Sequence, residues 1–286
     1  MRVGIASQSR RTQVRKTLDF VIAFLLCALV IFPLSWMVIS SFKSETEIYS
    51  VPPTFFPEQW SLEGYQLLFL YTKFLRYFVN TFIVALSAAV LAILLSIGGV
   101  YGVTRFRFMG AQLFTFLILM IYMLPPILLT IPLFTLWVQV GLADNLLSLS
   151  LSYVAITFPF ALWMSRSYFG TIPLELEEAA MVDGATRFQA FVRITVPQAL
   201  PGLIATFIFT FILAWNEYVL ALVLLSSDEN YTVSLGVANL IASIAVYSWP
   251  LVTAAGTLAT IPILILFFFV QRRLVSGMSA GALAGQ

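Results

Sequence analysis

Long apolar intervals alternate with short polar ones along the whole chain, and this pattern predicts helices that cross a membrane. An α-helix needs about 20 mainly apolar residues to cross the hydrocarbon core of a bilayer. Five intervals have about that length, and we predict one span for each of them: residues 20–40, 78–103, 146–164, 203–225 and 251–270. The polar stretch between the first two, residues 43–77, is predicted to be an extracytoplasmic loop with interfacial aromatic side chains.

A further uncharged interval, residues 108–143, is too long for one straight span. Its middle contains Pro125, Pro126 and Pro132. Proline has no backbone N–H and disfavours helix in the residue before it. A broken helix is tolerated in a membrane where protein or a water-lined cavity satisfies the freed carbonyls. We therefore predict a third span that breaks near Pro125 against the protein interior.

The number of spans is decided by charge, because the uncharged residues 230–271 are long enough for two spans. Cytoplasmic loops of membrane proteins carry an excess of Lys and Arg. With six spans, twelve of the 15 Lys and Arg residues fall on the side of the two termini. The sequence therefore predicts an all-α polytopic protein with six transmembrane helices over residues 18–273. Both tails, residues 1–17 and 274–286, are predicted to be cytoplasmic.

Composition excludes several classes of function. The chain is 60% hydrophobic and 10% charged, which is far more apolar than a soluble domain. Cys27 is the only cysteine and there is no histidine, so a disulfide framework and a His-based metal or catalytic site are excluded. The sequence has no G-x-x-x-x-G-K-[ST] motif and no basic patch that indicates nucleic acid. We predict a chain that is not an enzyme and binds no cofactor or metal itself.

One polar interval between apolar segments, residues 174–202, has a sequence pattern that predicts its local structure. Residues 174–183 favour helix, and three glutamates fall in the first turn, where carboxylates complement the helix dipole. Gly184 interrupts this helix, because glycine accepts the positive φ of a sharp turn. A helix that ends at Gly184 is therefore predicted to lie on the membrane surface.

A second short helix is predicted after this turn, over residues 186–193. Phe188 and Phe191 are three residues apart and share one face of it. Pro197 and Pro201 are predicted to close the interval, the latter as an early residue of the next span. Together these features predict a helix–turn–helix that offers two aromatic rings to a partner outside the lipid, or packs them back onto the membrane bundle.

The spacing E-A-A-x3-G-x9-I-x-V-P, which begins at Glu178 and ends at Pro197, resembles the EAA loop of permease subunits of ATP-binding-cassette importers. The usual Leu of that family is Val196 here. The segments WNEYVLALVLL, FFPEQWSLEGY and YGVTRFRFMG resemble the carbohydrate-uptake branch of these permeases. The closing QRRLVSGMSAGALAG does so too, although a lysine common near that end is missing. The resemblance covers residues 16–285.

This resemblance implies a maltose-transporter-like second permease subunit in a bacterial or archaeal cytoplasmic (inner) membrane. It implies a related permease subunit as partner, two cytoplasmic ATPase subunits that bind ATP and Mg, and an extracytoplasmic solute-binding protein that delivers a sugar. It also implies that the interval 174–202 couples to the ATPase. The residues expected to make this contact are Glu178, Ala179, Ala180, Asp183, Gly184, Ala185, Phe188 and Phe191.

Glu217 is the only acidic residue well inside a predicted span, and such a residue is a functional hypothesis by default. Asn216 and Tyr218 flank it, and Tyr122 is a large aromatic residue in the third span. We predict that these four side chains line the substrate path. For Glu217 the alternative is a hydrogen bond to a backbone break or to a partner subunit, and for Tyr122 it is packing.

Two other functions are left open by the sequence. The substrate of the importer is either a sugar or another small polar solute, such as a glycerol phosphate or a polyol. A chain of this size could also be a self-sufficient secondary carrier, but the internal repeat typical of many such folds is not evident. A membrane enzyme has no catalytic constellation in its favour.

Overall fold

The computed structural model describes residues 3–106, 109–242 and 248–283, and the regular elements in these ranges are helices, which confirms the predicted all-α class. In chain order the first seven are α1 (Val3–Ser40), α2 (Glu45–Ile48), α3 (Glu63–Tyr71), α4 (Phe74–Arg105), α5 (Ala111–Met123), α6 (Ile127–Gln139) and α7 (Leu146–Phe169). The others are α8 (Glu175–Val182), α9 (Arg187–Ala190), α10 (Val196–Trp215), α11 (Val219–Leu224), α12 (Val233–Ala242) and α13 (Trp249–Leu283).

Six spans are present if the bent third span is counted. In the described residues, five helices are long and apolar enough to cross a membrane: Arg15–Ser40, Phe74–Arg105, Leu146–Phe169, Arg187–Trp215 and Trp249–Phe269. Helices α5 and α6 form the sixth as a pair bent by 94°. Helix α1 begins well before its apolar part, so residues predicted as a tail continue the same helix.

The predicted break of the third span is confirmed at residues 124–126, between α5 and α6. The carbonyls of Pro125 and Pro126 accept hydrogen bonds from the N–H groups of Leu128 and Leu129, each at 3.0 Å. The residues around the break are exposed on this chain, and Leu124 and Pro126 line an open cavity. Pro125 cannot donate to the Ile121 carbonyl four residues earlier, and the Leu124 N–H donates to it instead at 3.1 Å.

The chain separates into two compact units. The first runs to Thr72 and includes residues 248–258, and the second comprises Lys73–Ala242 and continues from Ala259. In the first unit, the polar loop after α1 is anchored by Lys43, which is only 2% exposed. Its ammonium group donates to the Thr54 hydroxyl at 3.1 Å and lies 5.1 Å from the centre of the Trp36 ring.

The core of the second unit is built by α4, α7 and α10, which meet through small side chains. The buried face of α4 carries a row of alanines: Ala85, Ala88, Ala89 and Ala92. A Cβ added at Gly99 would lie 2.4 Å from Leu162 Cδ1, so any larger residue there would require the Leu162 side chain to move. Buried hydroxyls pair across the same contact, Ser87 with Ser150 at 3.0 Å and Ser96 with Ser165 at 3.2 Å. Close approach and polar pairing are how helices associate inside a membrane.

The loop that follows α11 is tied to the rest of the second unit at two points. Asp144, in the turn between α6 and α7, accepts the N–H groups of Ser226 at 2.9 Å and Ser227 at 3.1 Å. Burial acts to raise the pKa of Asp144, but hydrogen bonds from Ser227 and Ser226 hold it below its ordinary value. Lys73 forms an ion pair with Asp228 at 3.0 Å. The loop is therefore fixed at the ends of α4 and α7.

The predicted sidedness gives a test by single-cysteine labelling. Cys27→Ser removes the only thiol. Ser226 is exposed after α11 and Val182 is 87% exposed at the end of α8. We expect a membrane-impermeant maleimide to label Ser226→Cys in intact cells and Val182→Cys only after lysis, because six spans place them on opposite sides. Labelling of both in intact cells would rule out this topology.

Candidate functional site

Helix α8 ends in a hydrogen-bonded turn centred on Gly184, as predicted. The Gly184 N–H donates to the Met181 carbonyl at 3.1 Å, and the Ala185 N–H donates to the Ala180 carbonyl at 3.0 Å. This pair of bonds is the Schellman arrangement, in which the residue after the helix takes a left-handed conformation. Gly184 has φ of 94°. The direction in which the chain leaves α8 is therefore set by one glycine.

Thr186 begins the next helix with a reciprocal pair of hydrogen bonds. Its hydroxyl accepts the Gln189 N–H at 3.3 Å, and its own N–H donates to Gln189 Oε1 at 2.9 Å. The Thr-x-x-Gln spacing is a sequence signature of this capping box, so the start of α9 could have been predicted. The turn from Gly184 to Thr186 therefore has hydrogen bonds at both of its ends.

The second short helix is not separate from the fifth span, which corrects the prediction. Helix α9 continues through a π-helical segment, Phe191–Thr195, into α10. The Val196 N–H donates to the Phe191 carbonyl, five residues earlier. Pro197 has no N–H to offer the preceding turn, and a wider turn is a common local adjustment within α-helices. The interval therefore ends as the first part of a span, with Pro201 inside it.

The residues predicted to contact an ATPase are mostly on the surface. Four of them are exposed: Glu178, Ala179, Asp183 and Gly184. Ala180 and Ala185 are half-buried. The two phenylalanines differ sharply, since Phe188 is 65% exposed and Phe191 only 3%. The Phe191 ring lies between Tyr101, with centroids 4.2 Å apart, and Phe169, at 5.7 Å. Phe191 is thus packed on the bundle, which was the alternative for this pair.

A buried ion pair that the sequence did not predict lies beneath α8. Arg105 Nε donates to Glu177 Oε1 at 2.7 Å, and the Thr195 hydroxyl donates to the same oxygen. The Arg105 and Glu177 side chains are 7% and 2% exposed. The two residues are 72 positions apart, and no spacing in the sequence indicates that they meet.

The fifth span breaks at Glu217, so the prediction of one continuous helix over residues 203–225 is wrong. The Glu217 carboxylate accepts the Leu220 N–H at 3.1 Å and the Ala221 N–H at 3.3 Å, both at the start of α11. Its backbone carbonyl accepts the hydroxyls of Ser234 at 2.7 Å and Tyr153 at 3.3 Å. Glu217 therefore replaces the hydrogen bonds that α11 would have received from a continuous helix.

A cavity of about 370 Å³ brings Glu217 and Tyr122 together. Its lining residues are Ile121, Tyr122, Leu124, Pro126, Leu129, Ala155, Ile156, Thr157, Pro159, Leu213 and Glu217. Asn216 and Tyr218 are not part of this lining, and the Asn216 amide instead donates to the Ile212 carbonyl at 2.8 Å. Among the described residues, no group of three or more Asp, Glu or Cys side chains is placed to hold a metal ion.

Two substitutions separate the roles of Glu217. Glu217→Gln keeps an oxygen that can accept from α11, whereas Glu217→Ala removes it. Loss of a helix-capping acceptor costs about 0.5–2 kcal/mol. We expect Glu217→Ala to lower the melting temperature in detergent and Glu217→Gln to lower it much less. A rise in the half-saturating substrate concentration in both variants, with unchanged melting, would assign Glu217 to substrate contact instead.

The family model described as "Binding-protein-dependent transport system inner membrane component" matches residues 95–280 of this chain. The chain is 39% identical over 259 residues to the inner membrane ABC transporter permease protein YcjP of Escherichia coli (strain K12), covering 90% of this chain and 92% of that one. It is 35% identical over 256 residues to the diacetylchitobiose uptake system permease protein DasC of Streptomyces coelicolor, covering 90% and 92%.

A solved structure shares the fold. It belongs to a bacterial ABC transporter involved in the import of the acidic polysaccharide alginate. The TM-score is 0.76 at 22% sequence identity, and the match covers 92% of this chain and 97% of that one. The two chains therefore have the same helical architecture over nearly their whole length.

Proposed function

This chain belongs to the family of inner membrane components of binding-protein-dependent transport systems, and from this premise we propose that it forms half of the path for a sugar and couples that path to ATP hydrolysis by partner subunits. The chain is a permease subunit of an ATP-binding-cassette importer in the inner membrane. Members of this family are transport subunits. In our proposal two ATPase subunits bind the ATP and Mg, and this chain supplies the surface on which one of them acts.

The observation that carries the proposal is the exposed, rigid turn between α8 and α9. Two large apolar side chains are exposed there, Phe188 at 65% and Val182 at 87%. Exposed carboxylates of Glu178 and Asp183 lie in the same turn. An apolar centre with a charged rim is the composition of a protein–protein contact. The turn is held by a capping box and a Schellman turn, so a partner would meet a preformed surface.

The sugar is proposed from two observations. The relative from Streptomyces coelicolor is named as a permease of diacetylchitobiose uptake, and diacetylchitobiose is a disaccharide. The cavity beside Glu217 has a volume of about 370 Å³, within the usual range of ligand cavities. Tyr122 and Leu124 contribute apolar surface to its lining and Thr157 and Glu217 contribute polar groups, a mixture that suits a sugar ring. A polyol or a glycerol phosphate is the alternative solute.

A second permease subunit and an external binding protein complete the proposal. The cavity and the bent pair α5–α6 are open at the surface of this chain. A partner with similar architecture would close this side and supply the other half of the path. The loop held by Asp144 and Lys73 lies after α11, on the predicted outer side, and would face the binding protein.

The proposal is tested by purification of the chain with and without a co-expressed ATPase subunit. We expect the ATPase to co-purify in detergent with the native chain. We expect Phe188→Ala to weaken this association, because it removes the exposed ring without touching the core. A chain that purifies without any ATPase, yet transports solute, would contradict the proposal and favour a self-sufficient carrier.

A further inference from the structure

Glu177 differs from the other two glutamates at the start of α8. Its side chain is 2% exposed, whereas Glu175 and Glu178 are exposed to solvent. A carboxylate that only complemented the helix dipole would need no burial. An ionised carboxylate taken out of water is costly unless it is paired and hydrogen-bonded. The burial of Glu177 therefore indicates a role that Glu175 and Glu178 do not have.

Three elements meet at one oxygen of Glu177. Arg105, the last residue of α4, donates from Nε at 2.7 Å. Thr195, the last residue of the π-helical segment before α10, donates its hydroxyl to the same Oε1. The contact thus joins the end of α4, the helix α8 and the start of α10 in a buried place.

Aromatic contacts hold the same parts together. The Phe191 ring is 4.2 Å from Tyr101 of α4, measured between centroids. The guanidinium carbon of Arg187, in α9, lies 5.8 Å from the centre of the Phe106 ring, just after α4. The inner side of the α8–α9 turn is therefore fixed to α4, while its outer side remains free for a partner.

Arg105 is not saturated by this contact. Its Nη2 is buried and has no hydrogen-bond partner among the residues that the structure describes. In a guanidinium group, Nε and Nη2 together form a fork that binds both oxygens of a carboxylate. A buried donor without a partner is unfavourable. The contact through Nε alone therefore leaves one donor of this fork unused.

We propose that Arg105 is a positioning residue for coupling: through Glu177 it fixes α8 to α4, so that a displacement of α8 by the ATPase moves the end of α4. The unpaired Nη2 allows the pair to tighten in another state of the transport cycle. The inference rests on the proposed function, since it takes α8 as part of the ATPase contact. Helix α4 has 32 residues and packs on both α7 and α10, so a movement of its end reaches the core.

The test uses the complete transporter in proteoliposomes, with labelled diacetylchitobiose as the transported probe. Glu177→Gln keeps the shape and an acceptor for Thr195 but removes the charge. We expect the ratio of sugar transported to ATP hydrolysed to fall about fivefold or more, within the ordinary range of coupling between sites. Arg105→Lys keeps the charge without the fork and is expected to restore part of the ratio relative to Arg105→Met. Glu175→Gln, on the exposed side of the same helix, should match the native chain.

A spectroscopic measurement tests the positioning without any substrate. Nitroxide labels at Val182→Cys and Ser167→Cys, in a Cys27→Ser background, report the distance between α8 and α7. We expect a broader distance distribution in Glu177→Gln and an unchanged one in Glu175→Gln. The inference is wrong if Glu177→Gln has the native ratio of sugar transported to ATP hydrolysed and the native distance distribution between the labels. The proposed function would still stand in that case. If Glu177→Gln does not accumulate in the membrane, a native ratio in Arg105→Lys overturns the inference instead. Failure of the native chain to bind any ATPase would refute the proposed function itself.

Discussion

Gly184→Val is expected to abolish sugar uptake while the chain remains inserted in the membrane. Gly184 has φ of 94°, and apart from its chain neighbours no described residue has an atom within 4 Å of the position of an added Cβ. The valine side chain would therefore meet open space, and its cost comes from the backbone alone. A left-handed conformation costs an ordinary residue about 1–2 kcal/mol, and a β-branched residue more. The chain avoids this cost by leaving α8 in a different direction, which displaces α9 and Phe188 from the surface they form.

Two controls distinguish this effect from general instability. Gly184→Asn should retain most of the uptake, because asparagine tolerates the left-handed region better than other residues. Gly141 also has positive φ, 73°, and open space around it, but lies between α6 and α7. Gly141→Val therefore carries the same backbone strain outside the coupling turn. Equal loss of uptake in Gly141→Val and Gly184→Val, measured at equal membrane expression, would show that the position in the turn is unimportant.

Phe191→Ala is expected to destabilise the chain strongly, whereas Phe188→Ala should leave its stability nearly unchanged. Removal of a buried phenylalanine ring costs about 3–5 kcal/mol in soluble proteins. Phe191 is 3% exposed and packs against Tyr101 and Phe169, while Phe188 is 65% exposed. The measurement is the melting temperature of the purified chain in detergent.

The same pair of variants separates folding from docking. Phe188→Ala should retain the native melting temperature and reduce association with the ATPase, and Phe191→Leu should recover most of the stability lost in Phe191→Ala. If Phe188→Ala melts as low as Phe191→Ala, the exposed ring has a packing role that the structure of this chain does not contain.

The spans and the turn at Gly184 follow from local rules, and for that reason they could be predicted. Apolar length sets a span, proline at 125 breaks one, and glycine permits the left-handed residue that ends α8. The separation of Phe188 from Phe191 could not be predicted, since residues three apart on a helix share one face by spacing alone. Only the π-helical segment and the packing against α4 decide which ring is buried.

The substrate side was harder to predict for a different reason. In the sequence, a long apolar segment contains polar groups at Trp215, Asn216 and Glu217. That pattern does not show that the helix ends there. The break exists because the Glu217 carboxylate satisfies the N–H groups of α11, a contact that appears only once the chain is folded. The ion pair of Arg105 with Glu177 could not be predicted from the sequence either, because it joins residues 72 positions apart.

The central claim is that this chain moves a sugar only as part of a complex driven by ATP, and uptake into proteoliposomes tests it most directly. The vesicles contain this chain with its proposed partners, namely a second permease subunit, an ATPase and a binding protein, and accumulation of labelled diacetylchitobiose and other labelled disaccharides is measured. We expect one of these sugars to accumulate when ATP is enclosed in the vesicles, where it reaches the ATPase. We expect no accumulation when the ATPase subunit or ATP is omitted. Uptake by this chain alone, driven by an ion gradient in the absence of ATP, would contradict it.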